Sequence, residues 1–155
     1  MSVLAASAVV ALSAVVAAGA DSRPSPAPAA HAAKTIALNE SGHLLETSRH
    51  NFTLNEEGSA SGTAAGKIYV HLTTVSSTRV TAEINIYPHG GSLTGHGAGT
   101  YHRGATTISF SGSMSIDRGT GSYAGVHGSG LSFSGTIEES NHDPITVHVS
   151  GLVSS

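Results

Sequence analysis

Residues 107–116 read TISFSGSMSI, a decapeptide in which hydroxyl-bearing residues alternate with apolar residues or glycine. The hydroxyl-bearing residues take every odd position, and the even positions hold Ile108, Phe110, Gly112, Met114 and Ile116. Because successive side chains of a β-strand point to opposite faces, this alternation predicts a strand with one buried face and one face in water.

The same period of two recurs along most of the chain. It is clear in residues 79–86 and in residues 145–150, where β-branched residues or alanine alternate with polar residues. Alternating runs separated by Gly, Asn, Asp or Ser cover residues 34–46, 58–75, 78–87, 91–102, 106–117, 127–139 and 144–153. A bend of the long second run at Gly66 would divide it and make eight strands. The short connections predict antiparallel hairpins in an up-and-down order.

Many glycines fall in phase with the apolar positions of these runs: Gly62, Gly66, Gly95, Gly97, Gly99, Gly112 and Gly135. An open sandwich gains nothing from so many inward glycines, whereas a closed barrel needs the strong coiling and the narrow interior that glycine allows. We therefore predict an all-β fold, a closed antiparallel β-barrel of about eight strands. The glycines either leave a cavity or make room for large side chains opposite them, and both alternatives stay open at this point.

The composition limits the chemistry that is open to the chain. It has 155 residues and no cysteine, which excludes disulfides, thiolate metal sites and a cysteine nucleophile. Charged residues make up 11% of the chain, and the formal net charge is −3. Such a chain has no basic surface with which to hold nucleic acid or an anionic membrane, so we predict neither as a partner.

The N-terminal segment has the pattern of an export signal. Residues 3–18 are an apolar run rich in Ala, Val and Leu, and small-residue cleavage sites follow at residues 18–20 and 30–32. The run is shorter than the stretch of about 20 residues that a membrane-spanning helix needs. We predict a signal peptide over residues 1–20, with cleavage as late as residue 32 as the alternative, and a Pro/Ala-rich spacer over residues 21–33. Residues 34–155 then form a single secreted domain that is not inserted in a membrane.

Residues 118–130 contain a cluster of glycines around Tyr123 and Val126. Glycine allows positive φ and close backbone approach, so we predict a tight loop in which Tyr123 and Val126 close one end of the barrel. The spacing G-x-G-x-x-A at residues 119–124 also matches a dinucleotide-binding fingerprint, but that motif must open a helix within a βαβ unit. An alternating strand follows instead, so we predict no cofactor.

The same loop resembles the signature G-[TS]-G-x-[FY]-x-G-[VA]-x-G of the allene oxide cyclase and dirigent barrel superfamily. The matching residues are Gly119, Thr120, Gly121, Tyr123, Gly125, Val126 and Gly128. The resemblance implies an eight-stranded antiparallel barrel, often a dimer or trimer, with an apolar cavity in some members, and it extends to secreted bacterial barrels. Within the signature Gly119, Gly121, Gly125 and Gly128 are residues of a structural loop, and no catalytic residue carries over.

Nine of the ten histidines lie within residues 34–155, but their positions do not favour a metal site. His96, His102 and His148 share the polar phase of their strands and are expected to face water. His127 shares the inward phase of Leu131 and lies beside the glycine loop, at an end of the barrel. We therefore predict no metal. If any histidine lines a pocket it is His127, and a capping or solvent-exposed imidazole is the alternative for this residue.

The predicted ligand-binding residues are Tyr101, Tyr123 and His127. A tyrosine combines an apolar ring with a polar tip, which suits the edge of an apolar pocket, although core packing is the alternative. The carboxyl pairs at residues 56–57 and 138–139 are expected to be solvated at turns. No catalytic residue can be assigned, because no nucleophile motif of the G-x-S-x-G type is present in the sequence.

These features predict a secreted barrel that is a non-catalytic extracellular module or a binder of a small apolar molecule. One alternative is a cyclase- or isomerase-like enzyme, which the resemblance allows and which would need polar groups converging on a cavity. Another is a structural or adhesive surface protein that uses its Ser/Thr-rich outer faces. The resemblance also implies association into a homo-oligomer.

Overall fold

The computed structural model describes residues 34–140 and 143–155, and the regular structure of these residues is entirely β-strand. Eight strands follow one another: β1 (Thr35–His50), β2 (Thr53–Gly62), β3 (Gly66–Thr74), β4 (Arg79–Pro88), β5 (Gly91–Arg103), β6 (Thr107–Gly121), β7 (Gly128–Glu138) and β8 (Ile145–Ser154). Each strand pairs antiparallel with the next, and β1 also pairs with β8, which closes the barrel. The predicted closed up-and-down barrel is confirmed. The signal peptide and spacer predicted over residues 1–33 lie outside the described residues.

The predicted run 58–75 does divide, since Gly66 is the first residue of β3. The first two strands are longer than the apolar alternation suggests, because β1 continues to His50 and β2 already begins at Thr53. Their backbone ladder runs on through polar residues to a two-residue turn. Asn51 in this turn has a φ of 53°, a left-handed conformation that asparagine adopts more readily than most residues.

Two phenylalanine rings occupy the interior where glycines line the wall. A Cβ added at Gly112 would lie 2.8 Å from Phe133 Cζ, and one added at Gly99 would lie 2.9 Å from the same atom. The Phe110 ring covers Gly135 in the same way. The centroids of the Phe110 and Phe133 rings are 6.2 Å apart. Of the two alternatives, making room for large side chains therefore describes these glycines. The enclosed interior retains a cavity of about 50 Å³.

The β2–β3, β4–β5 and β6–β7 hairpins lie at one end of the barrel, which we call the closed end. Ala64, Leu93 and Val126 are buried there, and Tyr123 packs against the same apolar cluster. Tyr123 and Val126 thus close this end of the barrel, as the sequence predicts.

The other four hairpins lie at the opposite end, which we call the open end. They are β1–β2, β3–β4, β5–β6 and β7–β8. Alternate hairpins of an up-and-down barrel necessarily fall at opposite ends, because each strand reverses the direction of the chain. The inner wall is accessible from the open end, and the candidate site lies there.

Candidate ligand-binding site

The open end contains a cavity of about 640 Å³, which we call the mouth. Apolar side chains from six strands line its walls: Leu54, Leu72, Val80, Ile108, Phe110, Ile137 and Ile145. Its rim carries charged side chains: Glu46, Arg49, Arg103, Glu139 and Asp143. An apolar wall with a few polar groups, at this volume, is typical of pockets that bind small molecules.

A β-bulge in β1 sets two of the rim charges over the mouth. The pairing of β1 with β2 shifts register between Glu46 and Ser48, so Thr47 is an extra residue in β1. A bulge of this kind changes the alternation of inward and outward side chains by one position. Glu46 and Arg49 therefore both line the mouth, although they are three positions apart.

Glu56 of β2 forms the floor of the mouth, because it lines both the mouth and the enclosed cavity. The residue is 3% exposed, and its Oε1 atom is buried without a hydrogen-bond partner among the described residues. Burial raises the pKa of Glu56 to about 8, and the charge of Glu46 contributes to the same shift. At neutral pH the carboxyl group therefore holds a proton and can donate a hydrogen bond into the mouth.

The two arginines of the rim are paired with carboxylates. Arg49 Nη2 donates to Glu46 Oε2 at 2.6 Å and to Asp143 Oδ2 at 2.9 Å, which joins β1 to the β7–β8 connection. The hydrogen bond with Glu46 is the main reason that the pKa of Arg49 is raised. Arg103 Nη2 lies 2.6 Å from Glu139 Oε1. Both arginines that the described residues place at the rim are thus paired.

A second buried carboxyl group, Glu40 of β1, has a structural role. Its Oε1 atom accepts a hydrogen bond of 2.5 Å from the backbone N–H of Ala64, and the neighbouring Thr63 N–H donates to the Asn39 carbonyl oxygen at 3.2 Å. Burial raises the pKa of Glu40, and the two backbone N–H groups oppose that rise. Glu40 thus fastens the β2–β3 turn to β1 at the closed end.

The structure does not bring the three predicted ligand-binding residues together. Tyr101 lines the mouth, where its hydroxyl donates to the Ser76 carbonyl oxygen at 3.3 Å. Tyr123 and His127 belong to the β6–β7 connection at the closed end. His127 is exposed, and its Nδ1 donates to the carbonyl oxygen of Gly125 at 2.8 Å. Of the three residues, Tyr101 alone lines the mouth.

The structural glycine loop is shorter than the sequence pattern suggests. Gly119 and Gly121 belong to the end of β6, and Gly128 is the first residue of β7. The connection itself is residues 122–127, in which Gly125 has a φ of 82°. Positive φ is the property for which the sequence pattern favours glycine at this position.

Glu56 is the residue that the sequence prediction missed, because residues 56–57 are not a solvated pair at a turn. Both lie within β2, where Glu56 is buried and Glu57 is on the outer face, 3.6 Å from Lys67 Nζ. The sequence signal that could have identified Glu56 was its position in the alternation of the strand. Glu56 is separated by even numbers of residues from Leu54 and Ala60, which point inward, so it is expected to point inward too. A carboxyl group in the inward phase of a strand is the mark of a candidate site.

The other polar residues singled out from the sequence face water. His96, His102 and His148 are exposed, as predicted, and so are Glu138 and Glu139 at the end of β7. In the two described stretches of the chain, no group of three or more His, Asp or Glu side chains is arranged to hold a metal ion.

Comparison with protein-family models, with curated proteins and with solved structures found no match to this chain. Across residues 34–140 and 143–155, no helix has both the length and the apolar character that crossing a bilayer requires.

Proposed function

We propose that the protein is a secreted barrel that binds a small, mainly apolar molecule in the mouth. The observation that carries the proposal is a buried carboxyl oxygen without a partner, Glu56 Oε1, at the floor of an accessible cavity with apolar walls. The leader pattern of residues 1–20 supports export.

Two physical gains would follow from filling the mouth. Covering apolar wall such as the half-buried Ile108 and Ile137 contributes about 25 cal/mol for each Å² removed from water. A ligand group that hydrogen-bonds to Glu56 also removes the free-energy cost of a buried polar atom without a partner. The walls thus supply affinity, and the floor supplies orientation.

Binding of N-phenyl-1-naphthylamine, an uncharged dye that fluoresces more strongly in apolar surroundings, tests the proposal. We expect saturable binding of one dye molecule per chain. Ile137→Trp adds bulk within the mouth and should weaken dye binding about tenfold. Thr136→Trp, the matched control, places the same ring on the exposed outer face of β7 and should leave the affinity unchanged. Equal affinity in the two variants, or no saturable binding, would overturn the proposal.

A cyclase- or isomerase-like enzyme is a second candidate, and one observation favours it. Glu56 has a pKa of about 8 at the floor of a cavity, so it can both give and accept a proton near neutral pH. The test is exchange of the α-protons of 2-octanone for deuterium in D₂O, followed by NMR. An acid–base enzyme should exchange these protons faster than its Glu56→Gln variant. Equal rates would remove this candidate.

A further inference from the structure

We infer that the mouth selects amines, with the ammonium group of the ligand at Glu56 and its apolar body against the walls. The inference rests on the proposed function and specifies the chemical class of the ligand.

The geometry of the floor favours a compact donor. Glu56 Oε1 is removed from water and has no hydrogen-bond partner among the described residues, which is costly for an acceptor. An ammonium group offers three N–H donors in a small volume. With the ammonium group at Glu56, the apolar body lies along the walls and reaches the exposed ring of Phe52 at the rim.

The charges around the mouth favour a cation. The ionisable side chains that face it are Glu46 and Arg49 of β1, Tyr101 and Arg103 of β5, and Glu139 and Asp143 near the β7–β8 connection. Among the described residues, β3, β4, β6, β7 and β8 line the mouth with uncharged side chains. The rim has three carboxylates and two guanidinium groups, so its net charge is negative even without Glu56.

A carboxylate ligand would need the reverse orientation, with its head at the rim and its chain pointing inward. Arg49 and Arg103 are already paired with carboxylates, so an anion would have to replace an existing ion pair. The structure therefore favours the amine over the anion.

Amine binding has a proton balance that can be measured. At pH 7 Glu56 is mostly protonated, because burial raises its pKa to about 8. When an ammonium ion binds, it keeps its own protons, and the proton of Glu56 passes to the buffer. Each bound amine should therefore release close to one proton, and amine affinity should rise with pH between 6 and 8.

Isothermal titration calorimetry with octylamine, 1-octanol and sodium octanoate tests the inference, since the three probes share one chain length. Titrations at pH 7 in phosphate and in MOPS, which differ in ionisation enthalpy and contain no primary amine, report the protons released. We expect octylamine to bind about tenfold more tightly than 1-octanol, and octanoate to bind most weakly. Because nearly one proton is released to the buffer, the binding enthalpy of octylamine should differ between the two buffers by nearly the difference in their ionisation enthalpies.

Two variants separate the role of Glu56 from that of overall charge. Glu56→Gln should bring the affinity of octylamine to within about threefold of that of 1-octanol and abolish proton release. Glu57→Gln makes the same substitution on the outer face of the same strand, where it removes the partner of Lys67, and it should bind as the wild type does. The proton release of the wild-type protein needs no substitution, so it tests the inference even where a variant folds poorly.

Equal affinities for octylamine and 1-octanol without proton release would overturn the inference and leave the proposed function standing. Tightest binding of octanoate would overturn it in favour of an anionic ligand. An equal loss of octylamine affinity in both variants would assign the preference to overall charge and not to Glu56. No binding of any of the three probes would overturn the proposed function as well.

Discussion

Glu46 on β1 and Glu56 on β2 are direct cross-strand partners on the inner face of the barrel, so two carboxyl groups occupy neighbouring positions at the mouth. Like charges placed opposite each other destabilise a sheet. This pair avoids that cost because Glu46 bonds to Arg49 and Glu56 keeps a proton at neutral pH. This cross-strand pair therefore combines one ion-paired carboxylate with one carboxylic acid.

The protein should lose stability as pH rises, because of Glu56. The pKa of this carboxyl group is raised from its usual 4.5 to about 8 in the folded protein. Between these values the folded protein holds a proton that the unfolded chain has released, so unfolding becomes easier with increasing pH. Glu56→Gln removes this dependence. The difference in unfolding free energy between Glu56→Gln and the wild type should therefore shift in favour of the variant by on the order of 5 kcal/mol from pH 4 to pH 9.

Urea unfolding of the wild type and of Glu56→Gln at acidic, neutral and alkaline pH measures this difference. The pKa of Glu40 is also raised by burial, but Glu40 is present in both proteins, so the comparison isolates Glu56. Glu57→Gln is the control and should follow the wild type. Parallel pH curves for the wild type and Glu56→Gln would show that Glu56 is not protonated in the folded protein.

Gly112→Ala should destabilise the barrel by about 1–3 kcal/mol, the usual range for overpacking. The added methyl group would lie 2.6 Å from Gly99 Cα and 2.8 Å from Phe133 Cζ, and the backbone of the neighbouring strand cannot easily move aside. Gly104→Ala is the control, because the nearest atom there is the Thr107 carbonyl oxygen at 3.1 Å. Urea midpoints compare the two variants, and equal midpoints would mean that the interior is less tightly filled than described.

Arg49→Gln should alter local order more than overall stability. The Arg49 side chain is 53% exposed, and exposed ion pairs contribute less than about 1 kcal/mol. Its bond to Asp143 nevertheless holds the β7–β8 connection, where Asp143 Oδ1 accepts the Ser140 N–H at 2.9 Å. We expect the Ser140 amide to exchange with deuterium several-fold faster in the variant. Lys67→Gln, which removes an ion pair of the outer face, should not change this exchange, and an unchanged rate in Arg49→Gln would contradict the prediction.

The barrel could be predicted because its strongest signals are local. Alternation such as that of Ile108 and Phe110 with serines needs only the geometry of a strand. The exact ends of β1 and β2 could not be predicted from apolar alternation, because polar residues such as Thr53 and Asn55 extend the ladder through backbone hydrogen bonds.

The candidate site was harder to predict, because it depends on which residues share an end of the barrel. Consecutive hairpins of an up-and-down barrel lie at opposite ends, so Tyr101 beside the β5–β6 hairpin and Tyr123 in the β6–β7 hairpin cannot line one entrance. This consequence follows from topology and was available from the sequence. The raised pKa of Glu56 was not, because it depends on burial and on the register that places Glu46 opposite.

The most direct test of the binding site is the NMR spectrum of the ¹⁵N-labelled protein during titration with 1-octanol. We expect saturable shifts at amides around the mouth, such as those of Leu54, Ile108 and Ile137, and none at Val126 or His127 of the closed end. Saturable shifts centred on the β6–β7 connection or on the outer Ser/Thr faces, or no saturable shifts, would contradict a binding site at the open end.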